Sequence, residues 1–259
     1  MHFILSFLLV VFSLSLQAQG KIELVKINSD WWSMTNLSVT QFRNGDAIRN
    51  AKTRDEWVEC LQNGIPAYCA YKNDTSLARK YGYMYNWFAI ADPRGLAPQK
   101  TRVAHNGDFS RLYIYANNGA VSYPGTGIVG QRLRSKEGWD IGAPGENLDS
   151  FAILPGGYRN ENGEFMGLGK ETALWVRDTM SYGTVSLGNA FTAPYALVHG
   201  QKSDILFQGD GKRTGCYVRI VLGEEAVYDK PKSSNPESAD EALPAEESME
   251  QKKKRKKKN

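Results

Sequence analysis

The sequence predicts an α+β domain that is rich in loops, with short helices and mostly antiparallel strands. Segments of aromatic and β-branched residues are separated by breaks that contain glycine, which is typical of short strands joined by turns. The helical signals are few and short, and strands and helices do not alternate as they do in a doubly wound parallel sheet. The 259 residues include 25 glycines and 13 tyrosines, and no fixed-period repeat indicates a solenoid or propeller.

Two segments have the pattern of short helices. Thr53 and Glu56 have the spacing of a capping box, and apolar residues follow them at helical intervals. Asp108 precedes a second periodic segment at residues 109–115, and the turn-forming residues 117–119 end it. The sequence therefore predicts one helix after Thr53 and another with Asp108 as its N-cap.

Several segments combine aromatic and β-branched residues in the way that strands do. Strands are predicted at residues 83–90, 151–154, 172–176, 184–187 and 217–222. Residues 160–163 are polar and end in an Asn-Gly pair, which favours a positive φ in a tight turn. We expect a hairpin tip or an exposed loop there.

The first 19 residues resemble a signal peptide. An apolar run over residues 3–16 leads into small and polar residues, and the run is too short and too abruptly ended for a membrane-spanning helix. No cysteine precedes Cys60, so a lipid-modified N-terminal cysteine is not expected. The sequence predicts an extracytoplasmic protein, in the periplasm, on the cell surface or secreted, without a lipid or transmembrane anchor.

The other end of the chain changes composition. Residues 227–259 are poor in apolar side chains and end in a polybasic run at 252–258, which predicts a disordered tail behind a folded domain at residues 20–226. The basic run can attract an anionic surface in a salt-dependent way. The folded part is close to neutral once that run is removed, so specific nucleic-acid binding is not expected.

Catalytic signatures are lacking in the sequence. Cys60, Cys69 and Cys216 allow at most one disulfide, whose pairing stays open, and they lack the spacing of a zinc site. The two histidines beyond the predicted signal peptide stand alone, and no G-x-S-x-G elbow occurs. Residues 125–130 match G-x-G-x-x-G without the strand that precedes a dinucleotide site. We therefore expect a domain that is not an enzyme.

One acidic loop is a candidate calcium site. Its carboxylate and amide oxygens are ligands that Ca²⁺ accepts, although the loop lacks the regular spacing of an EF-hand. The alternative is a solvated loop with no ion, and a structural ion is the only cofactor that the sequence suggests. The residues are Asp140, Glu146, Asn147 and Asp149.

Exposed aromatic rings are the main candidates for a binding surface. Such rings stack on the faces of sugars and anchor protein interfaces. Trp57, Trp87 and Trp175 fall in regular segments and are expected in the core, whereas four others lie beside glycine, proline or polar residues. Those four are Trp139, Tyr158, Tyr182 and Tyr195.

The order of landmarks along the chain resembles a known family. The landmarks include Leu-Pro-Gly-Gly-Tyr-Arg at 154–159 and Gly-Cys-Tyr-Val-Arg at 215–219. The remaining ones lie at residues 31–37, 42–46, 64–71, 81–87, 93–98, 133–139 and 163–165. From about residue 22 to 222 the chain resembles the Fibrobacter succinogenes major paralogous domain family. Ile220 stands where that family commonly has a cysteine, so a disulfide ending there is not carried over.

The resemblance implies an exported bacterial protein with a fold similar to C-type lectins and formylglycine-generating enzymes, and no established general activity. The leading hypothesis is a non-catalytic binding module that contacts a glycan or a protein at the cell envelope. One alternative is a structural subunit of an envelope or surface assembly. Another is an enzyme related to formylglycine-generating enzymes, which would need its cysteines to be reactive.

Overall fold

A computed structural model describes residues 22–120, 125–177, 195–209 and 214–223. The described strands, in chain order, are β1 (Leu24–Ile27), β2 (Asp30–Ser33), β3 (Arg49–Asn50), β4 (Ala67–Cys69), β5 (Met84–Asn86), β6 (Thr101–Val103), β7 (Gly156–Arg159), β8 (Phe165–Leu168), β9 (Glu171–Trp175), β10 (Tyr195–His199), β11 (Ile205–Gln208), β12 (Gly215–Cys216) and β13 (Ile220–Leu222). The described helices are α1 (Arg54–Gln62), α2 (Thr75–Tyr81), α3 (Trp87–Ala91), α4 (Asn106–Ala116) and α5 (Val129–Leu133), with 3-10 turns at Tyr71–Asn73 and Leu148–Ser150.

The strands form two sheets. The smaller sheet has the order β1-β2-β13-β6, and the larger has the order β11-β10-β9-β7-β12-β5-β4-β3 with β8 paired to β7. Most pairs are antiparallel, and the parallel exceptions among the named strands are β3 with β4 and β7 with β9. This arrangement confirms the predicted loop-rich α+β class with short helices and mostly antiparallel strands.

Helix α1 begins as the sequence predicts. The Glu56 amide donates to the Thr53 hydroxyl at 3.1 Å, and the Thr53 amide donates to the Glu56 carboxylate at 2.8 Å. The two contacts satisfy backbone donors that the first turn of a helix leaves unpaired. The capping box therefore fixes where the helix starts.

Helix α4 begins earlier than predicted. Asp108 is its third residue rather than its N-cap, and its carboxylate accepts a 2.7 Å hydrogen bond from the amide of His105. A carboxylate at this position reaches back to the free amides of the first turn. The helix ends at Ala116, followed by Asn118 and Gly119 with positive φ, so the predicted stop is confirmed.

Two strand predictions are wrong, one in its extent and one entirely. Residues 83–90 divide into β5 and α3, because the Asn86 side chain accepts from the amide of Ala89 at 3.0 Å and caps a helix. Residues 151–154 form no strand and contribute only a bridge from Ile153 to Arg134.

The remaining strand predictions have mixed outcomes. The predicted strand at 172–176 is confirmed as β9, and the one at 217–222 is regular only in β13. Residues 184–187 lie outside the described residues. The hairpin tip is confirmed between β7 and β8, where the Asn160 side chain accepts from the amides of Asn162 and Glu164.

Two hydrophobic clusters cover opposite faces of the larger sheet. Successive residues of its strands alternate between them: Leu174 belongs to the first cluster, whereas Ala173 and Trp175 belong to the second. This is the period of two that strand geometry imposes. Trp57 lies in the first cluster and Trp87 in the second, and all three tryptophans expected in the core are buried.

No helix among the described residues is both long and apolar enough to cross a membrane.

Candidate functional site

Arg159 is a buried cation that ties α1 to the β7–β8 hairpin. Its guanidinium donates to the carbonyls of Ala51 and Thr53, each at 2.7 Å, and to that of Gly163 at 3.0 Å. It also lies 4.8 Å from the ring centroid of Trp57. Burying a charge is expensive unless its donors are satisfied, and here backbone carbonyls and an aromatic face satisfy them.

Arg134 plays a similar part for another loop. It donates to the carbonyls of His199 and Lys202 at 2.8 and 2.9 Å and lies 5.3 Å from the ring of Trp139. Burial lowers the pKa of the Arg134 guanidinium. Its contacts hold the turn after β10 against the loop that follows α5.

Arg219 is the third buried arginine in the part of the chain that the structure describes. It donates to the carbonyls of Ser33 and Ala152 at 2.6 and 3.1 Å and to the Asn36 side chain at 2.8 Å. Burial lowers its pKa to about 9. Each of the three arginines falls in one of the sequence landmarks, so these landmarks encode the contacts that hold loops onto the sheet.

The structure brings together two of the four predicted binding residues. Tyr158 on β7 and Tyr195 on β10 are half-buried and pack against the same hydrophobic cluster. The Tyr195 ring meets Trp175 edge-on at 6.3 Å between centroids, and its hydroxyl donates to Gln208 at 2.7 Å. These contacts hold the ring in one orientation.

Burial and neighbouring groups raise the pKa of both hydroxyls of this tyrosine pair. The pKa of Tyr195 is raised to about 12, first by burial and then by Cys216 and Tyr158. The pKa of Tyr158 is also raised, first by burial and then by Glu171, Cys216 and Glu161. Both tyrosines therefore stay neutral hydrogen-bond donors over the physiological range.

Acidic and apolar groups surround the tyrosine pair. Glu161 lies at the hairpin tip and Glu171 begins β9, and both raise the pKa of each tyrosine. Met166 pairs with Tyr158 across the β7–β8 hairpin and is 39% exposed. Opposite residues of an antiparallel pair share a face, so Met166 extends the surface that the tyrosine pair presents.

A groove lies between α1 and the hairpin tip, where the sequence predicted no site. Its volume is about 690 Å³. Arg54 at its edge donates from Nε to the Asn162 carbonyl at 2.7 Å. The lining residues are Arg54, Asp55, Val58, Glu59, Leu61, Gln62, Glu161 and Asn162. Six of them lie on α1 at helical spacing, on the side away from buried Trp57 and Cys60, and this spacing is the signal that the sequence carried.

Trp139 lies apart from the tyrosine pair. It is half-buried against the first cluster, on the other side of the larger sheet. Its indole donates to the Ser135 hydroxyl at 3.1 Å, and a Cβ on Gly200 would lie 3.1 Å from its ring. Trp139 thus packs the loop after α5 onto the end of β10. Tyr182 lies outside the described residues.

The acidic loop does not bring its four candidate calcium ligands together. Glu146 faces Arg132 at 3.4 Å, and Asp149 accepts from the Tyr115 hydroxyl at 2.8 Å. The Asp140 carboxylate packs against Gly169. The side-chain oxygen of Asn147 is buried without a hydrogen-bond partner. In the described ranges, no group of three or more His, Cys, Asp or Glu side chains has an arrangement that could hold a metal ion.

The three cysteines are buried and none is in a disulfide. Cys69 and Cys216 belong to hydrophobic clusters on opposite faces of the larger sheet. Burial raises the pKa of Cys69 to about 11 and raises those of Cys60 and Cys216. Since the thiolate is the reactive form, these environments disfavour nucleophilic chemistry.

The glycine-rich loop at residues 125–130 holds a carboxylate of the chain itself. The amides of Gly125 and Gly127 donate to Asp204 Oδ2 at 2.7 and 3.0 Å, and the Tyr113 hydroxyl donates to the same atom at 2.7 Å. A Cβ on Gly130 would lie 2.7 Å from the Asp204 carbonyl oxygen. The amides that a phosphate would need are thus occupied, and Gly130 permits close packing.

A family model described as the Fibrobacter succinogenes major domain matches residues 25–221. The chain belongs to this family. The match confirms the resemblance, and it includes the three buried arginines, the tyrosine pair and the groove. No curated protein and no solved structure matches the chain. The likeness to C-type lectins remains an expectation.

Proposed function

We propose that the protein is a non-catalytic binding module that acts outside the cytoplasm, at the bacterial cell envelope, and contacts a glycan or a protein through the tyrosine pair. The observation that carries the proposal is the placement of Tyr158 and Tyr195, both half-exposed, on one face of the larger sheet and on the two strands that flank β9. Residues on strands hold a more exact geometry than residues on loops.

The chemistry of the surface suits a hydroxyl-rich or peptide partner. Aromatic faces stack on sugar rings and on side chains, while the two neutral hydroxyls and the carboxylates of Glu161 and Glu171 pair with polar groups. The location outside the cytoplasm rests on the apolar run at residues 3–16. The buried cysteines support a binding role over thiol chemistry.

Alanine substitution of the tyrosine pair tests the proposal. The mature chain, its Tyr158→Ala and Tyr195→Ala variants and a Tyr115→Ala control are applied to a glycan array and to detergent-solubilised envelope. Tyr115 is 37% exposed and lies on α4, away from the pair. We expect capture of a glycan or protein that the first two variants lose and the control keeps. Capture that survives both substitutions contradicts the proposal.

The polybasic run at residues 252–258 is proposed to add a salt-dependent contact with an anionic surface. Truncation before Lys252 is expected to release the protein from envelope fractions at low salt. Unchanged fractionation of the truncated chain would remove this contact from the account.

A structural subunit of a surface assembly is the second candidate. Trp31 and Leu222 are 42% and 46% exposed, and the pairing of Val221 with Trp32 places them opposite each other on neighbouring strands of the smaller sheet. Under this hypothesis the occupant of the patch is a second copy of the chain. Light scattering that shows an oligomer, dissociated by Trp31→Ser, would favour it, whereas a monomer would count against it.

A further inference from the structure

The walls of the groove between α1 and the hairpin tip are fixed from both sides. Arg159 joins the start of α1 to Gly163, and Arg54 joins α1 to Asn162. A Cβ on Gly163 would lie 3.0 Å from the Arg54 side chain, so this glycine lets the hairpin approach the helix. The groove is therefore formed before any partner arrives, which lowers the ordering cost of binding.

The groove combines an apolar stripe with excess negative charge. Val58 and Leu61 are half-buried one helical turn apart on α1. Three acidic side chains and one basic side chain line it. Of the acidic ones, Glu59 is paired with Arg49 at 2.7 Å, whereas the described residues provide no ion-pair partner for Asp55 or Glu161.

We propose that this groove receives a positively charged, extended segment of a partner protein. Lysine and arginine suit it because their aliphatic stems cover apolar surface while their charged ends meet carboxylates. A volume of about 690 Å³ lies within the range of ligand pockets and accommodates a few residues of an extended chain. Complementary charge also speeds association and excludes acidic partners.

Glu161 links the groove to the tyrosine pair. It lines the groove, and its charge is one of the smaller causes that raise the pKa of Tyr158 and Tyr195. Tyr158 and Arg159 are successive residues of β7 and point to opposite faces, so the groove and the tyrosine pair lie on opposite faces of the hairpin with Glu161 at the tip between them. The inference rests on the proposed function, since it names the class of partner for the same region of the molecule.

The test uses the full mature chain and two fluorescein-labelled octapeptides, one alternating lysine with alanine and the other alternating glutamate with alanine. Binding is followed by fluorescence polarisation at low and high NaCl. We expect the lysine peptide to bind the full chain and a chain truncated before Lys252, more weakly at high salt. The glutamate peptide can meet the polybasic run at residues 252–258, and we expect the truncated chain not to bind it. The double variant Asp55→Asn/Glu161→Gln should weaken binding about tenfold, because it removes the two carboxylates that lack a partner.

The matched control is Glu23→Gln/Glu137→Gln, which removes two exposed carboxylates that do not line the groove and is expected to change binding less than twofold. Equal binding by the groove and control variants, binding of the glutamate peptide to the chain truncated before Lys252, or no binding of the lysine peptide would overturn the inference. The thermal midpoint of each variant checks that it is folded.

The failure of this inference differs from failure of the proposed function. In one outcome, Tyr158→Ala no longer binds the envelope partner, whereas Asp55→Asn/Glu161→Gln still binds it and binds the lysine peptide as well as wild type does. That outcome supports the binding module and contradicts the groove proposal. In the other outcome, Tyr158→Ala and Tyr195→Ala still bind the envelope partner, whereas Asp55→Asn/Glu161→Gln binds neither that partner nor the lysine peptide. The tyrosine pair is then not the contact surface.

Discussion

Arg159 Nη1 donates a 2.7 Å hydrogen bond to the carbonyl of Ala51, 108 residues away in the sequence. The same guanidinium reaches Gly163 across the hairpin, so one side chain sets the spacing between α1 and the β7–β8 hairpin. That spacing defines the groove, and the β7 strand that carries Arg159 also carries Tyr158. The contacts of Arg159 that stabilise the fold therefore also set the geometry of the groove.

Replacing Arg159 by methionine is expected to lower the free energy of unfolding by about 3 kcal/mol, because three carbonyls lose a donor and two of these hydrogen bonds are buried. Arg159→Lys should recover only part of the loss, since an ammonium cannot reproduce the fork of the guanidinium. Urea denaturation measures both. Arg79→Met, at an exposed arginine on α2, serves as the control, and an equal loss there would refute the role given to Arg159.

Gly130→Ala is expected to destabilise the fold by about 1–3 kcal/mol, because the new Cβ would meet the Asp204 carbonyl oxygen at 2.7 Å. Gly107→Ala is the matched substitution on α4, where the nearest atom is the flexible end of Arg111 at 3.5 Å. It should be neutral or stabilising by up to about 1 kcal/mol. Thermal melting curves that rank the two variants the other way would contradict the packing described for the glycine-rich loop.

Alkaline pH should destabilise the protein through Cys69. The folded thiol has its pKa raised to about 11 from a usual value of 9, so the unfolded state releases this proton first and stability falls between pH 9 and 11. The contribution at pH 10.5 is about 2 kcal/mol.

The difference between wild type and Cys69→Ala isolates this thiol from the other cysteines and the tyrosines whose pKa values burial raises. Guanidinium unfolding at pH 7.5 and 10.5 should show a smaller alkaline loss in the variant, by about 2 kcal/mol. An identical loss in both proteins would mean that the Cys69 thiol does not retain its proton on folding.

The N-cap of α1 offers a milder substitution. Thr53→Ala removes the hydroxyl that accepts from the Glu56 amide at 3.1 Å, and we expect a loss of about 1 kcal/mol. Thr53→Ser keeps the hydroxyl and should lose much less. If the two variants have the same urea midpoint, the capping contact does not contribute to stability.

Local sequence patterns predicted several elements of the fold. The capping box at Thr53 and the Asn-Gly turn at Gly163 involve residues within a few positions of each other, so the sequence alone indicates them. The error at residues 83–90 arose because one side chain, Asn86, caps a helix inside an aromatic segment that is otherwise typical of a strand. Single capping contacts override propensity over so short a distance.

The candidate site was less accessible from the sequence. Tyr158 and Tyr195 belong to one surface because β7 and β10 are the two neighbours of β9 in the sheet and both side chains lie on the same face, and strand order is a long-range property. Trp139 was a reasonable candidate from its glycine-rich surroundings, yet a buried arginine and Gly200 hold it against the first cluster. The groove depends on Arg159, and arginine is rarely buried.

Hydroxyl-radical footprinting of the protein, with and without envelope extract, tests the account most directly. The oxidation rates of individual tyrosine and tryptophan side chains are read by mass spectrometry. The account expects protection of Tyr158 and Tyr195 with unchanged oxidation of Tyr115 and Trp31. Protection of Tyr115 or Trp31, with the tyrosine pair unchanged, would contradict the assignment of the binding surface.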